Sequence, residues 1–144
     1  MKRLLVFLGL FIPCYFYAQD SIDTTSANNI IANKIVIEDN VERILYDYTQ
    51  SSELGLNKMI APKGWSEPII KAQFEIRGIV LKGALGLEFK DAKQGIKAGD
   101  GFFIPKDTFV RIFNAGQGEL ILIEVLRPAY DPSLVKEYKD FPPE

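Results

Sequence analysis

The sequence predicts an all-β fold in a single domain, and three observations support this prediction. Short runs rich in β-branched and aromatic residues follow one another from residue 30 to residue 127, separated by Gly, Pro, Asp and Asn. No stretch before residue 131 has the periodicity of an amphipathic helix. A chain of 144 residues, 47% of them hydrophobic, suits one hydrophobic core. Short strands at this spacing are typical of a β-sandwich or β-barrel.

Residues 1–18 have the pattern of a signal peptide. Lys2 and Arg3 precede an apolar run over residues 4–12, which is shorter than the roughly 20 residues that a membrane-spanning helix needs. Ala18 supplies a small residue for cleavage. We therefore expect export to the periplasm or the medium, with no membrane attachment after cleavage.

Two alternatives to ordinary cleavage remain open at this N-terminus. The apolar segment could stay uncleaved and anchor the chain in a membrane. Cys14 could carry lipid, as in a lipoprotein, but Pro13 stands where such sites favour a small residue. Cleavage after Ala18 is the favoured interpretation.

The remaining chain divides into a flexible leader at residues 19–33 and one domain at residues 34–144. The leader is rich in Ser, Thr, Asn and Asp. The stretch DPSLVKEYKDF predicts a short C-terminal helix, with Asp131 as its N-cap and Pro132 in its first turn. The predicted strands are, in order, IIANKIVIEDN, VERILYDYTQ, LGLNKMIAP, IIKAQFEIRGIVLKG, ALGLEFK, QGIKAG, GFFIPKD, FVRIFN and ELILIEVL.

Glycines mark the predicted turns between these strands. Gly83 separates two strands, and Gly99 with Asp100 forms a turn before GFFIP. The stretch FNAGQGELILIEV predicts a hairpin around residues 114–118, because its glycines permit positive φ.

The composition excludes several kinds of chemistry. The chain contains no histidine, and its one cysteine, Cys14, lies in the predicted signal peptide. The mature protein would lack thiol nucleophiles, imidazole bases and every metal site built from His or Cys. We therefore predict neither a metal nor a cofactor. The net charge of −2 provides no basic field that would attract nucleic acid.

The stretch GDGFFIPKDTFVRIFN resembles the second sequence motif of the cupin family. That motif is a glycine, five residues, proline, one residue, glycine, two residues, histidine, three residues and asparagine. Gly99, Pro105 and Asn114 match it, whereas Asp107 replaces the glycine and Val110 the metal-binding histidine. The resemblance covers residues 60–128 and implies a double-stranded β-helix of the jelly-roll type.

The first cupin motif has also lost its metal ligands. If Gly83 is the motif's last glycine, the glutamate position is Ile76. The paired histidines then fall at Ala72 and Ile70 or, with the family's longer spacing, at Lys71 and Ile69. The resemblance therefore implies a cupin barrel without its metal site.

The alternation of residues in IIKAQFEIR is consistent with this alignment. Side chains two residues apart share one face of a strand, so Ala72 and Ile76 lie on an apolar face that Val110 and Ile112 continue. That face is either a filled core or an apolar ligand cavity. The small side chains of Ala72 and Gly78 favour a partly hollow pocket. The opposite row, which includes Lys71 and Arg77, predicts a solvated face.

Two aromatic residues complete the set of candidate ligand contacts. Trp65, in the Pro-bracketed loop APKGWSEP, could stack on a flat ligand or close the end of the barrel. Tyr46 could contribute a hydroxyl group. The predicted ligand-binding residues are Tyr46, Trp65, Ala72, Ile76, Gly78, Val110 and Ile112.

Three classes of function are compatible with these features. The favoured one is an exported, metal-free module that binds a small organic or carbohydrate ligand. The second is a metal-independent isomerase, lyase or epimerase, which would use Glu, Asp, Lys or Tyr as acid and base. The third is a non-catalytic scaffold. We also expect a homodimer in which the strand IIANKIVIEDN contacts the neighbouring subunit, because unpaired strand edges attract partners.

Overall fold

The computed structural model describes residues 28–38 and 41–142. Its elements are β-strands and one turn of 3-10 helix, which confirms the all-β prediction. The signal peptide at residues 1–18 and most of the predicted leader lie outside the described residues. Across the described ranges, none of the helical structure has the length and apolar character required to cross a membrane.

The strands form two antiparallel sheets that face each other across the core. The first sheet has the strand order β1 (Asn33–Ile37), β2 (Arg43–Asp47), β3 (Gly55–Ala61), β10 (Leu120–Arg127), β5 (Glu75–Lys82) and β8 (Gly101–Ile104). The second has the order β11 (Val135–Tyr138), β4 (Ser66–Ala72), β9 (Phe109–Asn114), β6 (Ala84–Glu88) and β7 (Lys93–Lys97). Sequence neighbours often lie in different sheets, as in a jelly roll.

Alternating burial along the strands creates the core. In β3 every second residue is buried, and in β9 Val110 and Ile112 are buried while their neighbours are partly exposed. The inward side chains of both sheets pack into one cluster, because alternate residues of each strand point to the same face. Its buried members are Met59, Ala61, Trp65, Ala72, Phe74, Ile76, Val80, Leu85, Leu87, Ile104, Val110, Ile112, Leu120, Leu122 and Leu126.

The turns occur where the glycines predict them. Gly83 has φ = 80° and Gly99 has φ = 93°, so both adopt the left-handed conformation that glycine tolerates best. Asp107 also has a positive φ, 61°. This is the position at which the cupin motif has glycine. Aspartate is one of the few residues other than glycine that accept this conformation.

The predicted hairpin around residues 114–118 is wrong, because the two strands that it joins belong to different sheets. β9 pairs with β4 and β6, whereas β10 pairs with β3 and β5. The glycine-containing segment is therefore a crossover between sheets. Glycine identifies a turn but not the partners of the strands beside it.

The predicted C-terminal helix is shorter than the apolar spacing suggested. Only Pro132–Leu134 is helical, as a single 3-10 turn, and the residues from Val135 to Tyr138 form β11 against β4. The predicted N-cap is confirmed: Asp131 accepts a hydrogen bond from Ser133 N at 2.8 Å. Hydrogen bonds from the side chain and the backbone of Ser133 lower the pKa of the Asp131 carboxyl.

Two strand glycines lie directly beneath aromatic rings. A Cβ atom on Gly86 would collide with the ring of Phe113, its cross-strand partner on β9. A Cβ atom on Gly78 would collide with the ring of Phe102 and the carbonyl oxygen of Ile123. Each ring occupies the space that a side chain would otherwise take.

Candidate functional site

The apolar positions predicted to line a ligand pocket lie in the packed interior. Ala72, Ile76, Val110 and Ile112 are all buried members of the core cluster, with 1% of Val110 exposed. Ile70, the other position at which the resemblance implies a metal ligand, packs against the same cluster. Whether a ligand reaches these residues stays a prediction.

The other three predicted residues have different surroundings. Trp65 is 1% exposed and belongs to the core cluster. The space beside Gly78 holds the Phe102 ring. Tyr46 pairs with Lys58 of β3, whose ammonium group lies 5.6 Å from the ring centroid, on the outer face of the first sheet. Tyr46 is therefore not brought together with the inner residues.

A group of polar residues interrupts this apolar interior, and sequence reasoning missed it. In β10, Leu122 and Leu126 point inward, so Glu124 between them shares their face. Its cross-strand partners are Asn57 of β3 and Gly78 of β5. We call Arg43, Asp47, Asn57, Glu67 and Glu124 the inner polar cluster.

Arg43 and Glu67 form the charged pair of this cluster. Arg43 Nη2 lies 2.7 Å from Glu67 Oε1, and only 12% and 21% of the two side chains are exposed. The guanidinium group also lies over the Trp65 ring, 5.3 Å from its centroid. Arg43 is two residues from Leu45, which packs on the core, so the two side chains share the inward face of β2. Because little water is available to solvate this pair, the close approach of the two charged groups must offset their loss of hydration.

The carboxyl group of Glu124 has an unusual pKa. Burial raises the pKa of its carboxyl to about 7, and the nearby negative charge of Glu67 acts in the same direction. A hydrogen bond with Asn57 and the positive charge of Arg43 act in the opposite direction and lower the pKa less than burial raises it. Glu124 can therefore exchange a proton near neutral pH, as a general acid or base must.

Asn57 and Asp47 follow Glu124 in one cross-strand row toward β2. Asn57 is 5% exposed, and with its amide oriented so that both side-chain atoms have partners, its nitrogen donates to Asp47 Oδ1 and to the carbonyl oxygen of Leu56, each at 3.1 Å. Asp47 Oδ1 also accepts the backbone N–H of Thr49 at 2.8 Å. In ELILIEVL the sequence shows an acid within an apolar strand, and the structure places Glu124 on the inward face of that strand.

A separate shallow pocket of about 310 Å³ opens beside the loop before β4. An ion pair between Arg111 and Glu88, with a separation of 3.1 Å, lies within it, and Lys93 stacks on Phe113 there. Both Arg111 and Glu88 are partly exposed. The residues that line the shallow pocket are Gly64, Trp65, Ser66, Glu88, Lys93, Arg111, Phe113 and Asn114.

The donor atoms of the described residues do not form a metal site. Nowhere in residues 28–38 and 41–142 do three or more His, Cys, Asp or Glu side chains gather closely enough to hold a metal ion. The inner polar cluster can instead offer carboxyl, amide and guanidinium groups to an organic molecule.

Comparison with solved structures identifies the fold. The polyketide cyclase RemF from Streptomyces resistomycificus superposes with a TM-score of 0.61 at 18% identity, over 74% of this chain and 79% of RemF. An RmlC-like cupin from Shewanella frigidimarina gives 0.59 at 18% identity, over 69% and 87%. KdgF from Halomonas sp. gives 0.58 at 19% identity, over 71% and 93%. The chain therefore has the cupin double-stranded β-helix fold.

Comparisons of sequence provide less information about this chain than comparisons of structure. No protein-family model matches the chain. A segment of 86 residues, 60% of the chain, is 34% identical to part of the endoribonuclease YbeY of Myxococcus xanthus. That segment spans only 29% of the Myxococcus protein. The similarity therefore relates parts of two chains.

Proposed function

We propose that this cupin-fold chain is an exported, metal-free protein that binds a small polar organic molecule at its inner polar cluster. The observation that carries the proposal is the carboxyl group of Glu124, which lies on the inner face of an apolar barrel with a pKa of about 7. A charged group in such surroundings costs stability, and binding sites are where proteins keep such groups.

The chemistry of the cluster indicates the class of ligand. It combines one guanidinium group with three carboxyl groups and one amide, so its net charge is negative whether or not Glu124 is protonated. Hydroxyl groups can donate to the carboxylates and accept from Arg43 or Asn57. A neutral hydroxylated compound such as a sugar, or a small carbonyl compound, fits these groups best.

A thermal-shift and calorimetric screen tests this binding. The purified protein is screened against sugars, uronates and small carbonyl compounds, and one compound should raise the melting temperature in a concentration-dependent manner. Glu124→Gln should weaken binding of that compound at least tenfold. The matched control is Arg111→Gln in the shallow surface pocket, which should bind as the parent does. The reverse result would place the ligand in the surface pocket and refute the proposal.

The pKa of Glu124 also favours a second candidate, a metal-independent enzyme that uses this carboxyl as general acid or base. The name of RemF, a polyketide cyclase, is compatible with catalysis on this fold. Turnover of a bound compound, followed by NMR, should fall by about 100-fold or more in Glu124→Gln. Binding without turnover in the parent protein would contradict the enzyme and favour the binding module.

Export is the part of the proposal that rests on residues 1–18 alone. Expression of the full chain in a bacterial host should give a periplasmic product. Sequencing of its N-terminus should begin at or near Gln19. A product that retains Met1 or Lys2 would contradict cleavage.

A further inference from the structure

The shallow pocket beside the loop before β4 lies on the outer face of the second sheet. Arg111 and Phe113 of β9, Glu88 of β6 and Lys93 of β7 line it. Their side chains point away from the core, because Ile112, which lies between Arg111 and Phe113, is buried in the core cluster. The volume of about 310 Å³ lies at the lower end of the range for small-molecule sites, roughly 300–1,000 Å³.

The Phe113 ring forms one wall of this pocket because it turns towards a glycine. Phe113 has Ser66 and Gly86 as its cross-strand partners, and its ring lies over Gly86, where a Cβ atom would collide with it. The side towards Ser66 is left to the pocket. Gly64 also lines the pocket, and no atom of the described chain lies within 4 Å of the place where its Cβ would be. A flat ligand can therefore pack against the ring from this side.

Arg111 and Lys93 bring more hydrogen-bond donors to the pocket than Glu88 can use. Arg111 Nη1 donates to Glu88 Oε2 at 3.1 Å, which occupies one of the several N–H groups of the guanidinium. Lys93 lies 4.7 Å from the centroid of the Phe113 ring, and it forms no ion pair within the part of the chain that the structure describes. The remaining N–H groups of both cations are available to the acceptor atoms of a ligand.

The charge of the pocket is opposite in sign to that of the chain. Two cations, Arg111 and Lys93, stand against the single carboxylate of Glu88, whereas the whole chain has a net charge of −2. Asn114 does not change this balance, because its amide is neutral and bonds to backbone groups at both of its polar atoms. A local positive field of this kind attracts an anion. The planar guanidinium matches a carboxylate in particular.

A second lysine–phenylalanine pair on the same face lacks this opening. Lys71 lies 5.0 Å from the centroid of the Phe109 ring, but that ring packs edge-on against Tyr138, with 5.1 Å between the two centroids. Neither Lys71 nor Phe109 lines the pocket. The pair therefore provides a control with the same two residue types in a place where the ring already has a partner.

We infer that the shallow pocket is a second binding site, for a small organic carboxylate whose charged group is held by Arg111 and Lys93 and whose ring packs on Phe113. The neutral compounds proposed for the inner polar cluster lack the group that these cations bind. The two sites lie on different surfaces, so this inference does not depend on what the inner polar cluster binds.

Binding of benzoate, followed through the backbone amide signals in NMR, tests this site. Benzoate combines a flat ring with a carboxylate, whereas benzamide has the ring without the charge and acetate has the charge without the ring. Benzoate should bind at least tenfold more tightly than either and should shift the signals of Gly64 and Phe113. Glucuronate against glucose repeats the comparison with a hydroxylated ring. The tighter of the two ring carboxylates identifies the kind of ring that the pocket prefers.

Charge variants test the roles of the individual residues. Lys93→Gln and Arg111→Gln should each weaken benzoate binding at least tenfold, because each removes a charged donor. Glu88→Gln should instead strengthen binding about threefold or more, since it removes a competing carboxylate and leaves Arg111 to the ligand. A gain of this kind cannot result from a loss of folding. Lys71→Gln is the matched control, which removes one lysine from the same face and should bind benzoate as the parent does.

Three results would overturn the inference. The first is a failure of both benzoate and glucuronate to bind at millimolar concentrations. The second is a set of shifted signals centred on Gly78 and Glu124, which would place the anion inside the barrel. The third is a loss of binding in Lys71→Gln equal to that in Lys93→Gln, which would mean that the anion responds only to the overall charge of this face.

Discussion

Glu124 shows what one residue can do when it occupies an inward position of an apolar strand. The side chains on either side of it along this face, Leu122 and Leu126, are buried in the core. The carboxyl is ionised in water near pH 7 in an unfolded chain, but burial in the folded chain favours its protonated form. The folded protein therefore binds a proton that the unfolded chain releases, over the interval between the two pKa values.

This difference sets the sign of a pH effect on stability. The carboxyl has its ordinary pKa of 4.5 in the unfolded chain and about 7 in the folded one. Between these values the folded state holds more protons, so the free energy of unfolding falls as pH rises. The decrease is on the order of 3–4 kcal/mol, since the two pKa values differ by about 2.5 and one pKa unit corresponds to about 1.4 kcal/mol.

Glu124→Gln should abolish that decrease. Urea denaturation of the parent and the variant between pH 5 and pH 8 gives the slope of the free energy of unfolding against pH for each protein. All other groups contribute equally to the two slopes, so the difference between them belongs to Glu124. The variant should gain stability relative to the parent as pH rises. Parallel curves for the two proteins would mean that Glu124 titrates normally in the folded state.

Val110 tests whether the interior near the lost metal site is filled. Val110→His should cost about 1–3 kcal/mol, because it buries a polar ring among core side chains without a partner. Val110→Thr keeps the shape of valine, and its smaller cost separates polarity from size. Equal melting temperatures for the parent and both variants would show that the site is open to water.

At the scale of elements, Asn114 joins three segments at one end of the barrel. Its Nδ2 donates to the carbonyl oxygens of Ala61, Pro62 and Gly118 at 3.2, 3.0 and 2.8 Å. Its Oδ1 accepts the N–H of Gly116 at 2.9 Å. One buried amide thus fixes the end of β3 and the crossover from β9 to β10.

Asn114→Ala should therefore lower the free energy of unfolding by about 2–4 kcal/mol, because it leaves buried carbonyl groups without donors. Asn33→Ala, at an exposed position in β1, is the control and should change it by less than about 0.5 kcal/mol. Chemical denaturation measures both. A change in Asn114→Ala no larger than that in the control would show that water replaces the amide.

The sequence predicted the strands well, because each of them is marked by its own residues. It failed where the outcome depended on distant segments. The residues from Val135 to Tyr138 have helical spacing, yet they pair with β4, and the glycines after Asn114 indicate a turn but not a change of sheet. Glu124 was overlooked because an acid in a strand becomes unusual only when the face it shares is known.

At the scale of the whole molecule, the barrel has the cupin fold, but its interior is apolar at the positions that the motif comparison assigns to metal ligands. Asp107 retains the positive φ of a glycine position, and Asn114 still closes the end of β9, whereas Ile76 and Val110 fill places of metal ligands. Each buried aliphatic side chain contributes roughly 1.5–3 kcal/mol, so these positions stabilise the core.

The purified protein should accordingly carry no stoichiometric transition metal, since the chain has no histidine and only Cys14 as a thiol. Elemental analysis of protein prepared without chelators should find Fe, Mn, Ni, Zn and Cu far below one equivalent per chain. One equivalent of metal that disappears in Glu124→Gln would show that the inner polar cluster binds a cation.

Because the ring of Phe113 lies over Gly86, substitutions at these two positions depend on each other. Any side chain at position 86 needs the space that the ring occupies, and a smaller residue at position 113 would leave the glycine backbone uncovered. Neither position is free to vary while the other stays as it is. In a lineage of such barrels the two should change in concert, so that relatives with a side chain at 86 have lost the phenylalanine at 113.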